Sequence, residues 1–341
     1  MDLSKIFLKD ACPTAIGGQA VMEGVMMRGP ERTAIAIRLP DGRIHTKTKR
    51  NKKPGVWAHI PILRGCVSFF VALIGGMQWL TYSADVLEHY MEAEAEPEEP
   101  GRLEGWLTKK FGPKAVWNLL LFLAVAIALV ISIGVFVLLP TVLVGWLKAV
   151  IDNEIALNLI EGVLRIAIFL LYILAIRRME DIKRVFQYHG AEHKTIHCFE
   201  NGLALTPENA RDFYTLHPRC GTSFLMFVMV ISLILFSLLG WPNLVVRIGS
   251  RILLIPVVAG LSYELLKWAG RSNNWLVKVL SMPGLYLQKL TTNPPDDSQV
   301  EIAMVSLKAV LVPADTPLIE GICDKDAHLL EVVHIKEGGE A

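Results

Sequence analysis

The chain has 341 residues, with 34 Lys and Arg against 33 Asp and Glu, 52% hydrophobic residues and a mean hydropathy of +0.42. Charged residues make up 20%, below the ~25% of soluble domains, and none falls between Lys114 and Lys148 or between Arg219 and Arg247. Both uncharged runs exceed the ~20 residues that cross a bilayer core as helix, which excludes an ordinary soluble enzyme, a disordered chain and a disulfide-stapled secreted domain.

Five cysteines without framework spacing (12, 66, 198, 220 and 323) fit a reducing compartment. The N-terminus has no signal-peptide apolar region. Residues 1–60 are basic, with eleven Lys and Arg against five Asp and Glu. Within them, Thr33–Leu39 and Arg43–Lys49 flank the turn Pro40-Asp41-Gly42, which predicts a small β-hairpin. The preceding segment 16–30 is dense in Gly and Met and too broken for a long helix. Its Gln19, Glu23 and Arg28 lie among glycines that permit close backbone approach, so it reads either as an active-site lid with Glu23 and Arg28 as substrate contacts, or as a packing segment. Lys47–Lys53 reads as a lipid-headgroup contact; nucleic-acid binding is not expected without interleaved aromatics.

Residues 62–80 are apolar but carry Arg64, Gln78 and Gly75-Gly76, which predicts a re-entrant or interfacial helix. Residues 61–114 then continue into an acidic linker around Glu92–Glu99. Four stronger segments follow at about 116–140, 155–176, 222–241 and 247–268, with a break expected near Gly134 or Pro140 and a tight turn at Trp241-Pro242-Asn243. They form two transmembrane hairpins, 115–176 and 222–269. The 177–221 loop carries seven Lys and Arg and the 148–154 turn only Lys148; the positive-inside rule puts that loop and both termini in the cytoplasm. In 270–341, Ser298 and Glu301 suggest a capping box opening an amphipathic helix, followed by a loose tail after about 313. The expected fold is thus an α-helical integral membrane protein: about four transmembrane helices, one re-entrant or interfacial segment and a small N-terminal β-hairpin element.

The chemistry concentrates in Tyr188–Glu200, ended by Asn201-Gly202 as a helix C-cap. His189 and His193 stand one helical turn apart, the spacing by which two imidazoles share a tetrahedral metal. Glu192 completes His-x-x-Glu-His, the inverted zincin order, in which the carboxylate is the general base toward a metal-activated water. At 100° per residue, His189, Glu192, His193, His197 and Glu200 fall on an arc of about 140°. The alternative is a polar helix lying on the membrane with exposed histidines. A second cluster, His217-Pro-Arg-Cys-Gly-Thr-Ser223, places Cys220 at a helix mouth that favours thiolate. His197, His217, Cys220 and Glu264 are the candidates to complete the ligand set of His189 and His193. Zinc is the expected divalent metal, with Mn or Fe as alternatives. Glu161 and Arg165 form an i,i+4 pair within the second span, read as structural, while Arg247 and Arg251 are expected to reach the outer interface.

Three stretches, Gly17–Pro30, His189–Ile196 and His217–Ser223, together resemble the YqhQ-like family of bacterial membrane proteins. The likeness covers most of residues 14–310. The family is described as predicted metal-dependent enzymes of unknown function, so the resemblance implies a multi-pass protein of the bacterial cytoplasmic membrane with metal use, and supplies neither substrate nor reaction. The expected function is a membrane-embedded metal-dependent hydrolase at the cytoplasmic face, acting on a peptide, a lipid or a lipid-linked molecule. A transporter or metal-handling protein and a non-catalytic membrane scaffold are the alternatives; the sequence leaves the oligomeric state open.

Overall fold

The computed structural model describes residues 6, 12–53, 55–92, 108–110, 112–240, 243–269 and 274–334; most of the acidic linker and Trp241-Pro242 lie outside them. Four strands come first: β1 (Gly17–Val21), β2 (Gly24–Arg28), β3 (Arg32–Arg38) and β4 (Ile44–Arg50). They pair antiparallel in sequence order, and Gly42 (φ +86°) supplies the left-handed turn between β3 and β4. The expected hairpin is therefore the centre of a larger sheet. Two further strands near the other end of the chain, β5 (Glu320–Cys323) and β6 (Leu329–Val332), extend it to six. The tail expected after 313 is thus not loose. Each of its strands has four residues, too short to show a period-2 pattern, and β5 is defined by its partner β4.

The helices that follow include α1 (Leu63–Glu92), α2 (Pro113–Ile133), α3 (Leu139–Leu147), α4 (Glu154–Ile176), α5 (Glu180–Glu200), the single turn α6 (Pro207–Ala210), α7 (Gly221–Ser237), α8 (Leu244–Ala269), α9 (Trp275–Thr291) and α10 (Asp297–Leu311). Four stretches are long and apolar enough to cross a membrane: Leu63–Met91, Phe122–Leu147, Glu154–Ile176 and Val245–Ala269. The number matches the sequence reading, but the membership differs. The segment expected to be re-entrant belongs to a continuous 30-residue helix, whereas the expected span at 222–241 is the 17-residue α7, about 26 Å against a bilayer core of ~30 Å. Between α2 and α3 a π-turn at Gly134–Leu138 takes up the break expected there, one turn before the N–H missing at Pro140.

The sheet is covered on both faces. One face, with Val25, Met27, Ala34 and Ala36, packs against α5 and α10 around Tyr188, Ile196, Ile302 and Met304. The other, with Val21, Met26, Ile35 and Ile37, packs against Tyr82 and Val86 of α1. The first half of α1 instead meets α8, where a β-carbon at Gly65 would stand 2.9 Å from the Gly260 Cα. Contact with both the sheet and α5 buries α10 nearly all round, which explains why its expected amphipathic pattern is blurred. Its capping box is Asp296 with Gln299, two residues before the expected Ser298.

Glu161 is buried and accepts from Thr141 Oγ1 (2.8 Å), Arg165 Nη2 (2.9 Å) and Arg251 Nη2 (2.9 Å). Arg251 therefore turns inward, against the expectation that it reaches the outer interface, because an ion pair satisfies it better than apolar surroundings would. Arg247 is also buried.

Candidate metal centre

α5 forms because Glu180 and Asp181 favour its start and because Asn201, followed by Gly202 at φ +68°, ends it. Its inner face carries Tyr188, Glu192, His193, Ile196, His197 and Glu200, all buried, so the reading as a surface helix with exposed histidines does not hold. Three features bring a second wall to this face. The loop before α7 carries Thr215, His217 and Cys220; α9 ends at Thr291; and β1 runs alongside, with Thr14 bonded to Glu200 and Gly18 to Glu192.

The ligand atoms of His189, His193 and Cys220 lie within 4.8 Å of one another. His189 Nε2 stands 3.1 Å from Cys220 Sγ, and the two imidazole rings are 4.5 Å apart. Each ring's other nitrogen meets a main-chain carbonyl: His189 Nδ1 lies 2.9 Å from Thr291 O and His193 Nδ1 2.6 Å from Thr215 O. A carbonyl can only accept, so both Nδ1 atoms carry the proton and both Nε2 atoms present lone pairs to the same region. This is the outer-shell arrangement that fixes histidine ligands. His193 Nε2 and Glu192 Oε2 are buried without a hydrogen-bond partner among the described residues. An imidazole lone pair left unmatched beside a thiol is what a cation would satisfy, and the unmatched Glu192 oxygen adjoins it. Two imidazoles and a cysteine sulfur form a donor set that could hold a divalent metal.

The electrostatics follow from burial. It pushes His193 down to about 4 and Glu192 up to about 8, the latter against the opposing pull of His189 and the Gly18 N–H. Burial also raises the Cys220 thiol, but His193 and the Thr222 hydrogen bonds outweigh it and hold the thiol below its usual range. Cys220 caps α7 and takes the Thr222 N–H at 3.4 Å.

The other sequence candidates occupy different places. His217 lies 5.6 Å from His193, ring to ring, but its Nε2 is 3.6 Å from Glu200, whose carboxylate also accepts from Thr14 and Arg219. His197 donates from Nε2 to Leu216 O at 2.9 Å and stacks on Phe213. Glu264 is held by Arg64 Nε at 2.6 Å, so a guanidinium, not the histidine group, occupies its carboxylate. Glu23 pairs with Arg184 and accepts from Tyr188 Oη at 3.2 Å, and Arg28 is exposed at the end of β2. Residues the sequence did not single out hold the centre together. Gln288 is fully buried and clamps His217 by its N–H (2.8 Å) and carbonyl (2.9 Å) while also reaching Ser223. Gly190 lies so close to α9's exit that a β-carbon would sit 2.2 Å from Asn293 O. A buried glutamine and two main-chain carbonyls leave no motif to find.

Comparison with known proteins places the chain. The family described as a protein of unknown function, DUF1385, matches residues 60–312. The uncharacterized protein YqhQ of Bacillus subtilis (strain 168) is 37% identical over 311 residues, covering 89% of this chain and 94% of the relative. No solved structure matches this chain.

Proposed function

The chain belongs to the DUF1385 family, and we propose that it is a membrane-embedded, metal-dependent hydrolase working at the cytoplasmic membrane face. One observation carries the reading: two histidines oriented through Nδ1 aim their Nε2 atoms, with Cys220 Sγ, at one region beside an unpartnered Glu192 oxygen.

In this reading His189, His193 and Cys220 hold a divalent cation, zinc by the nitrogen and sulfur donor set. When bound, such a cation supplies a Lewis acid that lowers the pKa of water and polarises a carbonyl or phosphoryl oxygen. The chain's own residues do the rest. Cys220 is poised to ligate as thiolate, with Thr222 supporting the charge. Glu192 is turned by the Gly18 N–H, which occupies Oε1 and leaves Oε2 to accept a proton from water and return it to a leaving group. A positive charge nearby would bring Glu192 down from about 8 into the ionised form a base requires.

Membrane placement is supported by the four apolar helices and the uncharged runs. Cytoplasmic placement rests on the basic residues of 1–60 and 177–221, which surround the centre. Elemental analysis of purified protein tests the assignment. About one metal per chain is expected in the wild type and in Glu192→Gln, and none in His193→Ala, with hydrolysis of ester and amide probes lost in both variants. Loss of metal from Glu192→Gln would make Glu192 a ligand and overturn its role as base.

A further inference from the structure

Among the described residues β1 is an edge strand, paired with β2 on one side. Val21 and Gly24 close its hairpin, and in an antiparallel ladder the alternate positions turn their N–H and C=O outward. Gly18 and Ala20 are those positions. The Gly18 N–H follows the rule: it points off the sheet and donates to Glu192 Oε1 at 2.9 Å. The outer side of β1 therefore lies one hydrogen bond from the candidate base, whose second oxygen sits buried behind that contact without a partner among the described residues. Gly17 and Gly18 are exposed, and the β-carbon position at Gly17 has no atom within 4 Å. At Gly18 a β-carbon would stand 2.9 Å from Glu192 Cδ, so glycine keeps carboxylate and edge together while leaving room for another backbone. Beyond Ala20 the edge closes: Met22 N–H donates to Ser83 of α1 at 3.2 Å, and Gln19 reaches Gly76 O at 3.3 Å.

We propose that the free edge of β1 is the substrate track of this site and that it takes an extended polypeptide, bound as an added strand. The proposal rests on the metal-hydrolase reading above and names its substrate class. Main-chain pairing to the Gly18 carbonyl and the Ala20 N–H and carbonyl supplies sequence-tolerant binding and carries one peptide carbonyl past Glu192 Oε2. Hydrolysis there forms a bond from the water oxygen to the carbonyl carbon and breaks the carbon–nitrogen bond. Glu192 takes the water proton and delivers it to the leaving nitrogen, giving a carboxylic acid and an amine. A lipid ester has no row of amide groups to match this edge.

Full-length zinc-loaded protein in detergent provides the test, with two metal-seeking probes: an Ala-rich tetrapeptide hydroxamate and octanoyl hydroxamate. The peptide probe is expected to bind about tenfold or more tightly, as two or three edge hydrogen bonds allow. Methylating the peptide nitrogen that pairs with the edge should erase that advantage without touching the protein. Ala20→Pro, which removes one outward N–H at an edge where proline is tolerated, should also erase it. Equal binding of the two probes, an advantage that survives both changes, or binding of neither to protein shown to contain metal would overturn the peptide track and leave the metal centre standing. Absence of metal from the wild-type protein would instead overturn the underlying reading, and the track with it.

Discussion

Burial holds His217 at about 4, whereas an unfolded histidine titrates near ~6.5. As pH falls the unfolded chain takes up this proton first, so the histidine's contribution is fully present above about 6.5 and is lost between there and about 4. Glu200 behaves as the opposite kind of group. Although burial raises it, His217, the Thr14 N–H and Arg219 hold it at about 2, so its contribution survives that interval and disappears only as pH drops from the ordinary carboxylate range toward 2. Metal-free protein unfolded at pH 6.5 and at pH 5 should lose about 2 kcal/mol from His217, and His217→Gln should flatten that loss. An unchanged pH dependence in the variant would show that His217 is not held neutral. Gly190 is the second point at this scale. With Asn293 O 2.2 Å from the position of an added methyl, Gly190→Ala should destabilise by about 1–3 kcal/mol and weaken metal retention, because the shift falls next to His189. Wild-type melting temperature and metal content in that variant would refute the close approach. The histidines of α5 were legible because helical spacing alone puts them on one face. Their orientation was not, because it depends on the carbonyls of Thr215 and Thr291, which any residue type could supply.

Among the elements, α10 and the C-terminal strands do most to hold the site's scaffold. Met304 is buried between the sheet and α5, and Met304→Ala should cost about 2–5 kcal/mol. Ser306 inserts between two strands, accepting from Met27 N–H and donating to Ala34 O, each at 3.1 Å. The chain after α10 is tied down as firmly. Arg32 donates to the carbonyls of Pro313 and Thr316, and Glu320 accepts from Tyr82 and Lys47. Ending the chain after Pro313 should therefore lower the melting temperature and open β4 to protease, an outcome a loose tail would not produce; intact protease resistance would contradict it. The hairpin of β3 and β4 could be read from its turn, whereas β5 and β6 could not, since four-residue strands acquire their identity from a partner far away in sequence. α9 was missed for a related reason: Pro283 and Gly284 in its middle look like a break, yet Gly284 packs closely against Ser223.

For the whole molecule, the path of α1 decides the arrangement. β4 ends at Arg50, and the second half of α1 packs Tyr82 and Val86 on the same sheet. The chain thus leaves the sheet and returns to it, while the first half of α1 touches α8 at Gly260, and Phe69 meets Phe224 in the first turn of α7 at 5.5 Å. Length and composition make α1 a candidate span; α1 is one continuous helix, so on a non-crossing path the chain before it enters and α1 itself emerges at the sheet, with α7 crossing in its place to keep all six strands on one side. Single cysteines at Lys52, His89 and Leu203 should then label from the cytoplasmic side and one at Asp152 from the opposite side. Labelling of Lys52 and His89 from opposite sides would make α1 a true span. Charge placement made the long apolar helices legible, but hydropathy could not tell whether α1 crosses, because the distinction lies in where its far end packs.

X-ray absorption at the zinc edge of the purified, zinc-loaded protein measures the centre itself. The account predicts a first shell of one sulfur at about 2.3 Å with imidazole nitrogens at about 2.0–2.1 Å, and loss of the sulfur in Cys220→Ser. A wild-type shell of nitrogen and oxygen alone, or a sulfur that persists in Cys220→Ser, would contradict the convergence of His189, His193 and Cys220 on one metal.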